Sequence, residues 1–279
     1  MTPVFGAGVL VAGLVGVLGL AIGSFLNVVV HRVPAGLSVV RPASACPRCG
    51  TAIRSRDNVP LVSWLVLRGR CRDCAVPISV RYPLVEAGTA VLFVVVALRF
   101  LPSAGADGPH TAAAFVVLVG LLYLMAVSVA LTLIDLEEHR LPDRIVLPMY
   151  PVLAVLFTVA SALSGDWGAL LRAFIGMAAM GLGYLGLALI APQGMGLGDV
   201  KLAGALGLVL AYLGWGPLAV GAFAAFALGG TFGIGLIVVR RAGRKTGIPF
   251  GPWMLAGAWI AAFCGTALWD SYLGLIGLA

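Results

Sequence analysis

The sequence predicts an all-α polytopic membrane protein of about eight transmembrane helices with a small cytoplasmic zinc-binding insert. Hydrophobic residues make up 61% of the chain and charged residues only 10%. The apolar residues fall in one long uncharged run after another, unlike the short periodic stretches of a water-soluble core. Backbone inside a bilayer has to satisfy its own hydrogen bonds, so these runs read as helices and not as an open sheet. The 38 glycines suit close helix approach, as in Gly19-x-x-x-Gly23.

Taken in order, residues 1–30 form a first transmembrane helix. No Lys or Arg precedes its apolar run and no small-residue cleavage motif follows, so a retained span is expected in preference to a removed signal peptide. Residues 31–83 are the one sizeable polar segment. Residues 84–279 read as a core of about seven further helices, at 84–101, 113–134, 146–163, 169–191, 201–213, 218–239 and 250–269. The division at Gly214-Trp215-Gly216-Pro217 isolates 201–213, which is short for a span. Nine arginines lie between His31 and Tyr82. Threading the spans alternately puts that segment, the 135–145 and 192–201 loops and Arg240–Lys245 on one side, leaving only Arg99 and Arg172 for the other. By the positive-inside rule the basic side is cytoplasmic.

The polar segment carries Cys46-Pro47-Arg48-Cys49 and Cys71-Arg72-Asp73-Cys74. Two Cys-x-x-Cys pairs at this separation can close a tetrahedral four-thiolate zinc site, and a reducing compartment disfavours the disulfide alternative. A pair of redox-sensitive or metal-free turns is the competing reading. The arginines at 48, 54, 56, 68, 70 and 72 suggest nucleic acid, but only Trp64 and Tyr82 interleave them. Membrane lipid headgroups account for them more simply, and no nucleic-acid partner is expected. Cys264, alone in an apolar run, reads as a small core residue.

Carboxylates are scarce and placed at span ends. Asp135 follows 22 uncharged residues, 113–134, in Leu133-Ile134-Asp135-Leu136-Glu137-Glu138-His139-Arg140-Leu141-Pro142-Asp143. Asp199 follows alternating glycines in Gly194-Met195-Gly196-Leu197-Gly198-Asp199-Val200-Lys201. The glycines lack the flanking strand and the Gly-Lys-Ser/Thr of a phosphate loop. Acids at the edge of hydrocarbon are costly and point to function. Two of them side by side can divide proton holding from water activation, as aspartic peptidases do. Simpler roles compete: an interfacial carboxylate for Asp135, and helix N-caps for Asp199 and Asp143. Glu137, Glu138 and His139 read as solvated loop. Helix dipoles place Asp199 at a favourable N-terminal end and Asp135 at an unfavourable C-terminal one.

At this point the chain resembles the type IV prepilin leader peptidases, bifunctional enzymes of GxGD type serving pili and type II secretion. The similarity rests on Gly23-Ser24-Phe25-Leu26-Asn27 with His31-Arg32, the two Cys-x-x-Cys pairs, Asn58-Val59-Pro60, Ser63-Trp64, Arg68-Gly69-Arg70-Cys71 and Arg81-Tyr82-Pro83 with Glu86. It continues through Ile134-Asp135 with Leu141-Pro142-Asp143, Gly196-x-Gly198-Asp199-Val200-Lys201-Leu202, and Pro249-Phe250-Gly251-Pro252. The resemblance implies Asp135 and Asp199 as the catalytic pair and Cys46, Cys49, Cys71 and Cys74 as ligands of a structural zinc. It also implies removal of a basic leader from prepilins or pseudopilins at the cytoplasmic face of the bacterial cytoplasmic membrane, and methylation of the new N-terminus by S-adenosylmethionine. Thr51 stands where many members carry His. The leading alternative is a proton- or cation-coupled transporter lined by the two aspartates. A zinc-knuckle adaptor and a presenilin-like peptidase are further ones.

Overall fold

The structure, a computed structural model, describes residues 3–101, 108–191, 195–239 and 249–278. Gly194 and Arg240–Lys245, used above, lie outside the described residues. Among those described, every regular element is helical, apart from two isolated β-bridges, Ala45 to Ala52 and Arg70 to Pro77. Among the described residues seven helices are long and apolar enough to cross a membrane: α1 (Pro3–Arg32), α3 (Arg81–Phe100), α4 (Gly108–Glu138), α5 (Asp143–Ser164), α6 (Trp167–Ile190), α8 (Trp215–Val238) and α9 (Gly251–Leu275). The insert holds a short α2 (Val62–Val66), and α7 spans Leu197–Leu213. The residues group into two compact units, one of 1–105 with 121–130, the other of 106–120 with 131–279.

In the first unit α1 lies against α3 through the Gly19-x-x-x-Gly23 face. A Cβ at Gly19 would fall 2.7 Å from the Ala90 Cα, and one at Gly23 2.7 Å from the Glu86 Cα. Small residues here let two backbones meet, which is how apolar helices gain contact when lipid competes for their side chains. Glu86 is buried, and its carboxylate accepts from the Leu61 N–H at 2.8 Å. That bond ties the start of α2 to the membrane end of α3. Leu61 holds φ at +58°, a conformation a branched side chain resists.

In the second unit α7 is the helix the others enclose. Every residue from Leu202 to Ala211 is buried, so this 17-residue helix, about 25 Å long at 1.5 Å per residue, faces protein along that length. Gly207 meets the Gly176 backbone of α6, and the Tyr150 hydroxyl of α5 lies over Gly204 while donating to the Lys201 carbonyl at 2.6 Å. At the other end the Arg172 guanidinium donates to the Ala211 and Tyr212 carbonyls at 2.6 and 2.9 Å. These are carbonyls that a helix C-terminus leaves unpaired. Gly214 alone joins α7 to α8, at φ +151° and ψ 166°, a conformation open to glycine and closed to larger residues. α8 and α9 pair closely, with Gly257 against the Ala225 backbone and Gly265 against Pro217.

Two local expectations are corrected. The helix carrying Asp135 runs on to Glu138, so Glu137 and Glu138 close α4 and the connection shortens to 139–142. Asp143 is the first residue of α5, behind Pro142 as N-cap. Its carboxylate makes no cap bond and pairs instead with Lys201, 2.8 Å away. Replacing Arg172 by Ala removes both charge-assisted bonds at the end of α7. The expected cost is about 1–3 kcal/mol, seen as a lower unfolding midpoint of the purified protein, with no loss expected for exposed Leu171→Ala.

Candidate active site and metal centre

The insert folds as two matching turns. Cys46 N–H donates to Thr51 O and Gly50 N–H to Cys46 O, at 3.0 and 2.9 Å; Cys71 N–H donates to Val76 O and Ala75 N–H to Cys71 O, at 2.9 and 3.0 Å. Each turn closes on a residue with positive φ, Gly50 at +70° and Ala75 at +56°. Ion pairs lace the turns together: Arg54 with Asp73 at 2.9 Å, and Arg72 with Asp57 through the guanidinium's Nε and Nη2. The Arg72 hydrogen bonds hold the Asp57 carboxyl below its ordinary value, so two of the insert's arginines already have acidic partners.

The turns bring all four predicted cysteines together, their Sγ atoms within 4.8 Å of one another. Cys46 and Cys74 sulfurs stand 3.7 Å apart. For a tetrahedral ion with bonds of about 2.3 Å to sulfur, that edge should be about 3.8 Å, so the set fits a four-thiolate ion. At two of the four, donors already favour the thiolate, whereas burial and the neighbouring thiols push Cys74 up. Thr51, through its side chain and then its backbone N–H, brings the Cys49 thiol down to about 6, and the backbone N–H groups of Cys74 and Asp73 lower Cys71. Thr51, noted from sequence as a departure, thus supports a ligand.

The two aspartates sit at helix ends of the second unit. Asp135, 5% exposed, lies in the last turn of α4 and accepts from the Gly251 N–H at 3.0 Å, the first residue of α9. Dipole reasoning from its own helix alone was therefore incomplete, because the N-terminus of α9 also faces it. Asp199 is the third residue of α7, not its N-cap. Gly196 takes that position, and the Asp199 carboxylate reaches back to the Gly196 N–H at 3.1 Å. Burial first, and the charge of Asp135 after it, push the Asp199 carboxyl up. Leu141 links the two mounts, its side chain 3.1 Å from where a Cβ would stand on Gly198 and 3.2 Å from one on Gly251. A Cβ on Gly251 would also fall 2.7 Å from the Asp135 Oδ2, which leaves that position to glycine.

Comparison with known proteins matches the "Type IV leader peptidase family" profile to residues 122–234 and "Bacterial Peptidase A24 N-terminal domain" to residues 17–100. Proteins named prepilin leader peptidase/N-methyltransferase align along nearly the whole chain. The one from Aeromonas salmonicida (strain A449) is 38% identical over 94% of each chain. That from Pseudomonas putida is 38% identical over 94% of this chain and 93% of its own. The chain belongs to the type IV leader peptidase family. No solved structure matches it. The family's N-terminal match spans the four cysteines and the second match spans Asp135 and Asp199, while Gly251 lies beyond both.

Sequence reasoning missed the Gly251 N–H. The signal was a glycine followed directly by Pro252 at the start of a span, a helix N-terminus whose free N–H groups call for an acceptor. It also missed Arg172 as the cap of α7. If the cysteine cluster holds its ion as the geometry indicates, the purified protein carries about one divalent ion per chain by elemental analysis. The double variant Cys46→Ser/Cys71→Ser is expected to carry none.

Proposed function

We propose that this protein is a membrane aspartic endopeptidase in which Asp135 and Asp199 are the catalytic pair. It removes the basic leader of prepilins or pseudopilins at the cytoplasmic face of the bacterial cytoplasmic membrane. The observation that carries the reading is the mounting of both carboxylates on helix N-terminal amides, through Gly251 and Gly196, with Leu141 wedged against both mounts. One carboxylate takes a proton from water as it attacks the peptide carbon. The other, protonated, donates to the carbonyl oxygen and later the proton passes to the leaving nitrogen. A basic leader held on the cytoplasmic side by its charge meets an acidic site on that side.

Zinc is our reading of the four-cysteine ion, on the sulfur spacing and the all-thiolate donor set. Its role is structural, since four protein ligands leave no open position for water. N-methylation comes with the relatives' name, and its methyl donor would be S-adenosylmethionine. Neither the groove lined by Ala179, Gly183 and Trp215 nor that lined by Leu228, Phe232 and Trp253 offers a carboxylate for a ribose, so neither fits that cofactor. Nothing favours the transporter reading.

Prepilin cleavage by the purified protein tests the pair. Asp135→Asn and Asp199→Asn should each lose on the order of 10²–10⁴-fold in kcat/KM with normal unfolding behaviour. Full activity in either variant contradicts the assignment. Gly251→Ala places a methyl against the Asp135 carboxylate and should cost on the order of 10²-fold.

A further inference from the structure

In the first unit the short helix α2 has two unlike faces. One is tied to the insert. The Ser63 hydroxyl donates to the Arg56 carbonyl at 3.1 Å and accepts from the Val59 N–H at 3.0 Å. The Trp64 indole donates to the Ile78 carbonyl at 3.3 Å and lies against Gly69. The other face points away from these partners and carries Val62, Leu65 and Val66 at helical spacing, 54%, 66% and 69% exposed. Three large apolar side chains left open together on a polar insert mark a binding surface.

The height of α2 is set by α3. That span has 20 residues, about 30 Å at 1.5 Å per residue, which only matches the hydrocarbon thickness of a bilayer. With no length to spare, its first turn lies at the membrane surface. The buried Glu86 is the sixth residue of α3, and side chains on a helix lean toward its N-terminus, so the carboxylate stands near the level of that first turn. By accepting from the Leu61 N–H at 2.8 Å it holds the start of α2 at the same height. Val80 and Leu84, at the entrance to α3, are exposed apolar residues of the same level. The charge beside the face is of one sign: Arg68 and Arg70 follow α2 closely, are exposed, and make no ion pair among the described residues.

We propose that α2 is an interfacial helix lying in the surface of an anionic bilayer, with Val62, Leu65 and Val66 among the upper acyl carbons and Arg68 and Arg70 on lipid phosphates. Apolar side chains at the acyl boundary with guanidinium groups beside them are the make-up of such helices. The four-cysteine lobe is then laid against the membrane beside α3, not held out in the water. A protein partner would have to reach this face at a height where lipid is already present. The proposal does not depend on the peptidase reading.

The full chain, loaded with metal and reconstituted in vesicles of phosphatidylcholine with phosphatidylglycerol, tests this with a genetically encoded fluorescent amino acid at residue 65 and, in a second protein, at residue 62. Lipid spin-labelled near the top of the acyl chain is expected to quench both, and a neutral water-soluble quencher neither, measured against the same fluorophore free in water. In phosphatidylcholine alone the quenching by lipid should fall, and Arg68→Gln/Arg70→Gln should abolish that difference between the two lipids. Fluorophores quenched from the water and not from the lipid overturn the proposal. Fluorophores shielded from both overturn it in favour of a protein on this face, a second copy included. Equal quenching of the unchanged arginine protein in the two lipids overturns the part given to Arg68 and Arg70.

Discussion

The hydrogen bond from the Gly251 N–H to the Asp135 carboxylate is the contact on which the arrangement around the proposed site depends. A carboxylate that is 5% exposed at the end of an apolar helix is untenable without a donor. The donor comes from 116 residues away, so the bond fixes the end of α4 to the beginning of α9. Once made, it sets the rest of the local arrangement. Residue 251 has to be glycine, Leu141 fills the space between Gly251 and Gly198, and Phe250 is set against Tyr184.

Asp199 is held by a more local device, its own helix. Because α7 is enclosed along Leu202–Ala211, its first turn has little freedom to shift. The Asp143–Lys201 ion pair, half-exposed on both sides, adds modest energy in solvent, yet it joins the segment after Asp135 to the segment after Asp199. At the far end Arg172 answers the terminal carbonyls. The shortest of the main helices is thus tied at both ends and packed by glycine in the middle, which leaves the Asp199 carboxylate in its first turn little room to shift.

Much of this was legible in the sequence, for physical reasons that differ from residue to residue. Span positions followed from uninterrupted apolar runs, and the break at Gly214 from a glycine beside Trp-Gly-Pro. Gly19 and Gly23 declared a packing face by spacing alone. The cysteines were legible because a tetrahedral ion constrains spacing within each pair. Helix ends were harder: side-chain patterns place α4 and α7, but they do not say that α4 continues to Glu138, or that Asp199 is the third residue of α7 and Asp143 the first of α5. The Gly251 amide was illegible beside Asp135, since a backbone N–H gains meaning only from what the fold puts beside it. Arg172 was read as a charge on the far side of the membrane and proves to be bound to the end of α7.

If Asp135 and Asp199 form one site, their side chains lie within reach of one another. Cysteines placed at 135 and 199, in a chain with Cys264→Ala and its four-cysteine cluster loaded with metal, test this by reaction with a short thiol-specific bifunctional reagent. An efficient intramolecular crosslink is expected, seen as a mass increase of one linker with both thiols consumed. Two separately capped thiols, each carrying its own reagent molecule, would contradict it.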